Sequence, residues 1–428
     1  MVAVKQFNMK KNIITAGVLA AGVASLYAEN VTGLTEMQQS KPWNVSGSVR
    51  GFYDSNPEIQ SEDSNPEGSW GVSITPTVGF NHSMENTLFS ASLAYTALWF
   101  ANRDDNQWDQ QFVANGRVNH KFNEHTSLNV EDTFIISDMP AVTDVGNFTQ
   151  PLQRSDNSYL QNTFPIDFMT KFSERFGINV GYKNTYYNYQ DDVYAAQLNR
   201  VENLAHIDLD YYLQEQIILL VGYQFGLVDY LSDDDIFTGD PIPPGGLGTP
   251  GKDRSNLSHY FYVGGQAALS TQLKASLKLG AVYTDWYDLD QDDWSPYVDG
   301  NVSYTYLPGC YFRAGITMSH NAMDVVQPNS AGEVTLDQDS VIPYVALTHA
   351  ITPRLTLNLL GQIQFSMYDG GEFDGDVDHY YTFGASLKYL LTKHVFSEVS
   401  YNYDFLSSDV PGREFDRNRI FFGGGVTY

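Results

Sequence analysis

The chain has 428 residues, with 51 Asp and Glu against 24 Lys and Arg, a formal net charge of −27, 14% aromatic content and one cysteine, Cys310. So acidic a chain disfavours nucleic-acid binding, because phosphate contacts need a basic surface, and a lone cysteine excludes an intramolecular disulfide and a CxxC metal or redox site. Beyond the N-terminal segment no 18 consecutive residues are apolar, and the longest mostly apolar run, Ile217 to Val228, is broken by Gly222, Gln224 and Gly226; helical membrane spans are thus disfavoured, while a β-barrel, weak in signal per segment, is allowed.

Residues 1–28 read as a secretory signal peptide. Lys5, Lys10 and Lys11 stand without an acid, Ile13 to Leu26 is mostly apolar and small, and Leu26-Tyr27-Ala28 offers a cleavage site before Glu29. Met9 opens a more typical start, MKKNIITAGVLA. The apolar run of about 14 residues falls short of the roughly 18 to 20 that a spanning helix needs. Loss of this segment takes three of the 24 basic residues, leaving 21 against 51 acids. An exported, acidic chain without a disulfide needs another source of rigidity, and a closed hydrogen-bonded barrel supplies one.

Residues 29–42 form a polar leader, expected in the periplasm, and 43–428 repeats one plan of amphipathic run, long polar loop, amphipathic run and short turn. Leu273, Ala275, Leu277, Leu279, Ala281 and Tyr283 share one face opposite Lys274, Ser276, Lys278 and Gly280. Leu355 to Met367 repeats this, with Leu355, Leu357, Leu359, Ile363, Phe365 and Met367 opposite Thr356, Asn358, Gln362, Gln364 and Ser366. Period two means strand; a helix would scatter these residues around its circumference.

The pattern places strands near 43–53, 69–82, 87–101, 110–122, 127–138, 159–172, 177–188, 199–213, 217–231, 257–270, 273–285, 295–307, 310–320, 340–350, 355–368, 377–390, 395–406 and 417–428. Pro165 implies a bulge or strand end in its run, because proline cannot donate to a ladder. The fold class expected is all-β, a transmembrane up-and-down antiparallel β-barrel of about 18 strands, within a range of roughly 16–20. Short connections alternate with long ones, as in a barrel with tight periplasmic turns and longer outer loops. A soluble sandwich also alternates, but its strands average about five or six residues, well short of these runs.

The final stretch RNRIFFGGGVTY, Arg417 to Tyr428, puts Ile420, Phe422, Val426 and Tyr428 on one face and ends on an aromatic ring. With the opening WNVSGSVRGFYDSN, Trp43 to Asn56, and the DRNR of Asp416 to Arg419, the chain resembles the outer-membrane β-barrel porins of Gram-negative bacteria. The commoner final residue there is Phe, and Gly424 stands where an apolar side chain is usual. The resemblance implies location in the outer membrane, contact with outer-membrane lipid, passage of small hydrophilic solutes and recognition of Tyr428 by the barrel assembly machinery, and it is compatible with a homo-trimer, for which the sequence shows no interface. Closure requires the last strand to pair with Trp43 to Tyr53, and Gly423 to Gly425 then leave room at the seam.

A charge facing lipid costs roughly 2 to 4 kcal/mol at mid-depth for Arg or Lys, so alternation assigns the charged strand residues to the lumen. The pore-lining set is Arg50, Arg117, Lys121, Lys183, Glu202, His206, Asp208, Lys274, Lys278, Arg313, Lys388, Glu398 and Asp404, joined by Glu131 and Asp210. These residues can set ion selectivity, or pair and stiffen the wall. The outer loops are acidic at Glu62, Asp63, Asp233, Asp234, Asp235, Asp288, Asp290 and Asp292, a mouth expected to favour cations. Trp43, Trp70, Trp99, Trp286, Trp294, Tyr53, Tyr230 and Tyr368 fall near strand ends as interfacial girdles. Phe52, Phe100, Tyr187 and Tyr212 interrupt inward polar faces and are candidates for a solute-stacking slide.

Enzyme signatures do not assemble. G-x-S-x-G and H-E-x-x-H are missing. GLGTPGKD, Gly246 to Asp253, matches G-x-G-x-x-G but lacks the strand before and helix after that phosphate binding needs. DLDQDD, from Asp288, lacks the glycine and glutamate of a calcium loop. No cofactor or metal is expected. The function expected is passive diffusion of small hydrophilic solutes through a cation-leaning channel, without a catalytic step. The competing reading is a plugged or narrow barrel with a structural, adhesion or surface-binding role. The long connections 139–158, 232–256 and 321–339 are the candidates for a constriction.

Overall fold

The structure, a computed structural model, describes residues 42–103, 106–139, 158–234, 236, 250–322 and 334–428. The signal segment 1–28, the leader 29–42 except its last residue, Asp235, the greater part of 139–158, 232–256 and 321–339, and the first half, 246–249, of the Gly246–Asp253 stretch lie outside the described residues.

Eighteen strands follow the period-two pattern. In chain order they are β1 (Trp43–Asp54), β2 (Ser69–Ser83), β3 (Thr87–Phe100), β4 (Trp108–Lys121), β5 (Thr126–Ser137), β6 (Tyr159–Lys171), β7 (Phe176–Tyr189), β8 (Arg200–Gln214) and β9 (Ile217–Tyr230). The second half is β10 (Asn256–Ala268), β11 (Leu273–Trp286), β12 (Gln291–Leu307), β13 (Cys310–Asn321), β14 (Thr335–Thr352), β15 (Leu355–Gly370), β16 (Val377–Leu390), β17 (Val395–Ser408) and β18 (Phe415–Thr427). One short helix, α1 (Asp192–Leu198), lies between β7 and β8.

Each strand pairs antiparallel with its neighbours in sequence, and β1 also pairs with β18, so the sheet is a closed barrel without a free edge. The seam register runs from Ser46↔Thr427 to Asp54↔Arg419. It ends in two reciprocal bonds, Val45 N–H to the Tyr428 carbonyl at 3.1 Å and Tyr428 N–H to the Val45 carbonyl at 2.8 Å. The glycine triplet permits this fit. A Cβ on Gly423 would collide with the Val49 carbonyl of β1, and one on Gly425 would stand 2.6 Å from the Gly47 carbonyl. On the other side, a Cβ on Gly424 would stand 2.5 Å from the Phe396 carbonyl of β17.

Alternation gives the wall two faces. Ile420, Phe422, Val426 and Tyr428 are 44–79% exposed on the outer one. The other face is concave: Lys278 of β11 reaches Asp208 of β8 at 3.1 Å, three strands away, which side chains can do only where they converge.

The prolines show how the ladder tolerates a missing donor. Pro165 stays in register with Lys183 of β7, and the β5–β6 pairing lapses only between Val130↔Ile166 and Thr133↔Thr163. The expected bulge or strand end is therefore absent, because a proline removes the bond on one side alone. Pro76 behaves alike: it pairs with Gly47 of β1, while the lapse toward β3 is spanned by the Thr75 and Thr96 hydroxyls, 3.2 Å apart.

Two boundaries depart from expectation. β14 begins at Thr335, and β12 begins at Gln291, so the sixth long loop is a tight turn, Tyr287 to Asp290, with Asp290 at φ 52°.

Seam closure is testable by substitution. Gly423→Val should abolish the heat-modifiable gel shift of the folded barrel. Gly47→Val, whose added Cβ meets nothing within 4 Å, should retain it. Equal folding of the two variants would contradict the close approach at the seam.

Candidate functional site

For each of the thirteen residues of the expected lining set, strand parity gives the face opposite the exposed apolar row of its own strand. Most of these charges stand in pairs. Arg117 meets Glu131 at 2.8 Å, Lys278 meets Asp208 at 3.1 Å, Arg50 lies 3.7 Å from Glu398, and His206 lies 3.6 Å from Asp167. The Asp208 cluster exists because a neighbour has no side chain. Gly222 of β9 lies between β8 and β10, and any Cβ there would collide with the Tyr262 ring and the Asp208 carboxylate. In its absence the Tyr262 hydroxyl donates to Asp208 at 2.5 Å, and Lys278 lies 4.6 Å above the Tyr262 ring.

At the rim that carries the longer connections, five arginines meet carboxylates. Arg417 grips Asp54 through three bonds of 2.6 to 3.1 Å across the seam. Arg419 donates to Asp404 at 2.8 Å, and the Tyr380 hydroxyl donates to the same carboxylate at 2.8 Å. Arg413 meets Asp378 at 2.8 Å, Arg103 meets Asp109 at 2.5 Å, and Arg200 meets Glu202 at 2.7 Å. Charge-assisted pairs of this kind are the strong hydrogen bonds of a protein. Arg417 and Arg419 escaped the expected lining set although both share the inward parity of Gly423. Alternation counted back from the last strand would have found them.

The aromatic assignments need correction. Phe52, Phe100, Tyr187 and Tyr212 do face inward, but their rings are already occupied. Phe52 packs on Phe100 at 5.1 Å and Phe421 at 5.5 Å, and both Phe52 and Phe100 are at most 2% exposed. Arg103 covers Phe100 at 4.2 Å, Arg200 covers Tyr187 at 4.0 Å and Lys171 covers Tyr212 at 4.4 Å. Trp286, Tyr230 and Tyr368, expected in the girdles, are buried on the inner side instead. Trp286 packs against Ile236, Val334 and Leu336, so position near a strand end did not decide its face. Trp108, outside the expected girdle, stands outward opposite Trp99.

At the mouth, Glu62 and Asp63 occupy a short 3-10 turn, and Asp288 and Asp290 lie in the turn before β12. Asp233 accepts from Lys252 at 2.5 Å, a bond that raises the Lys252 pKa, and Asp234 accepts the Gly251 N–H at 3.0 Å. Asp292 is a correction. It belongs to β12 on the outer-facing parity of Trp294 and accepts from the Tyr283 hydroxyl at 3.0 Å, because the strand starts earlier than its acidity suggests. Arg254, fully buried beside the mouth, stacks 4.2 Å from the Tyr230 ring, and burial lowers its pKa.

Residues 315–427, from within β13 to the end of β18, match the family described as "Putative beta-barrel porin 2". No curated protein matches the chain. Among solved structures the chain is similar to OccAB3 of Acinetobacter baumannii, at 11% identity over 90% of this chain and 99% of that one, TM-score 0.42. It is likewise similar to the outer membrane protein opdK of Pseudomonas aeruginosa, at 10% identity over 90% and 99%, TM-score 0.43. A ferric enterobactin receptor (PfeA) mutant of Pseudomonas aeruginosa gives 10% identity over 90% and 80%, TM-score 0.44.

Removing the seam clamp should be costly. Arg417→Ala leaves Asp54 buried without its partner and should destabilise the barrel by about 3 to 5 kcal/mol, whereas adding Asp54→Ala should recover part of the loss. Urea midpoints of the refolded protein, followed by heat-modifiable migration, measure both. A single variant as stable as wild type would show that the clamp contributes nothing.

Proposed function

We propose that this porin-like barrel of the Gram-negative outer membrane is a channel for passive diffusion of small hydrophilic solutes, leaning toward cations. The carrying observation is the closed 18-stranded wall with an apolar outer face and a charged inner one. A barrel of this strand number encloses more volume than wall side chains alone fill, so water and solute can occupy the lumen. Filtering is steric and electrostatic: Glu62, Asp63, Asp233 and Asp234 at the mouth concentrate cations, and the paired charges below hold the wall. No chemical step is proposed.

The plugged or narrow barrel is the second reading, favoured by the inward packing of Phe52, Phe100 and Phe421. Assembly is proposed to use Tyr428, which is 79% exposed at the short-turn rim and therefore reachable by the assembly machinery. The assembled state proposed is a homo-trimer, which the native mass of the folded protein checks.

Planar-bilayer recording of refolded protein should show channels whose reversal potential in a salt gradient favours the cation. Neutralising the mouth with Glu62→Gln, Asp63→Asn, Asp233→Asn and Asp234→Asn should lower the cation-to-anion permeability ratio by about twofold or more. Folded protein that passes no current supports the plugged reading, and an anion-selective wild type contradicts the cation-leaning pore.

A further inference from the structure

The inner wall treats its basic residues differently at its two ends. Near the rim of the longer connections, taken as extracellular, each of Arg103, Arg200, Arg413, Arg417 and Arg419 meets a carboxylate within 2.5 to 2.8 Å. Near the rim of the short turns, taken as periplasmic, the inner wall carries lysines. Lys121 and Lys171 end β4 and β6, Lys274 is the second residue of β11, and Lys388 is the third from the end of β16. Among the described residues none of these four has a carboxylate within salt-bridge distance. Lys171 faces the Tyr212 ring at 4.4 Å and Lys388 the Phe396 ring at 4.2 Å. A ring attracts the ammonium without cancelling its charge, so the field of these lysines survives into the lumen.

The groups around them do not reverse that sign. Asp167 of β6, Asp210 of β8 and Glu398 of β17 are inner-wall acids near this level; Asp167 lies 3.6 Å from His206, and Glu398 is shared between Arg50 at 3.7 Å and the Lys388 position across from it. In the short turns Glu85, Glu124, Glu174 and Glu215 are roughly offset by Arg175, Arg354 and Lys393, all exposed to bulk solvent where screening is strongest.

We infer that the channel is electrically polarised along its axis, with an acidic extracellular mouth and a basic periplasmic exit formed by Lys121, Lys171, Lys274 and Lys388. This rests on the channel reading and deepens it by naming the solute class. Multiply charged ions of either sign meet a repulsive end, whereas small neutral or zwitterionic solutes meet none. The same polarity makes ionic current depend on the direction of the applied voltage.

The test compares wild type with the combined variant Lys121→Gln, Lys171→Gln, Lys274→Gln and Lys388→Gln, in bilayers where the protein inserts from one side in symmetrical potassium chloride. Lys→Arg at the same four positions serves as the charge-preserving control, and heat-modifiable migration confirms folding of each. Wild type and the Arg control should rectify. The Gln variant should lose at least half of the current asymmetry and raise the cation-to-anion permeability ratio by about twofold, the size expected of a screened unit charge about one Debye length from the ion's path. Conducting protein whose asymmetry and selectivity are the same in the Gln variant would overturn the inference and leave the channel standing. Absence of current in folded wild type would remove both.

Discussion

In the core of a bilayer there is no water to satisfy a peptide group, so every strand edge inside it must find another strand. That requirement makes β18 return to β1, and the rest of the sequence accommodates it. Three consecutive glycines allow backbone to approach backbone at the seam, and Arg417 clamps Asp54 just where the last register pair, Asp54↔Arg419, ends. Prolines obey the same rule. Pro165 and Pro76 lie where the ladder lapses on one side only, and Pro296 pairs with Ala281 of β11 beyond the point where β13 begins to pair with β12.

The constraint also sorts the side chains. Lipid tolerates apolar surface on one face, so charge collects on the other, where concavity brings distant strands together. Contacts such as Lys278 with Asp208 depend on glycines that open a path across the intervening strand. Gly181 of β7 does for Asp167 and His206 what Gly222 does for Asp208 and Tyr262, since a Cβ there would strike both partners. The electrostatics of the interior therefore follow from where the wall lacks a side chain as much as from where it carries a charge.

The strands were legible because each must show an uninterrupted apolar row to lipid, a local property with a fixed period. All eighteen appear within a few residues of the positions that alternation assigned, and Trp43 to Tyr53 pairs with the final strand as closure requires. Faces near strand ends were less legible. Trp286 and Asp292 lie where the wall leaves the lipid, and the penalty that fixes orientation lapses there, so an indole turns inward and an acid outward. Partnerships were not legible at all: the Arg417–Asp54 clamp joins residues 363 positions apart, and nothing in the local pattern of either one points to the other. The acids of DLDQDD suggested a loop, yet two of them continue a strand, because cross-strand pairing with Thr284 and Asp285 outweighed their local preference.

The central claim is that the closed wall surrounds a continuous aqueous path, and neutral solutes test it without the complication of charge. Liposomes carrying folded wild-type protein should swell in isosmotic sugars, rapidly for the smallest and more slowly as size increases. Liposomes that hold correctly folded barrels yet admit none of the sugars would contradict the account.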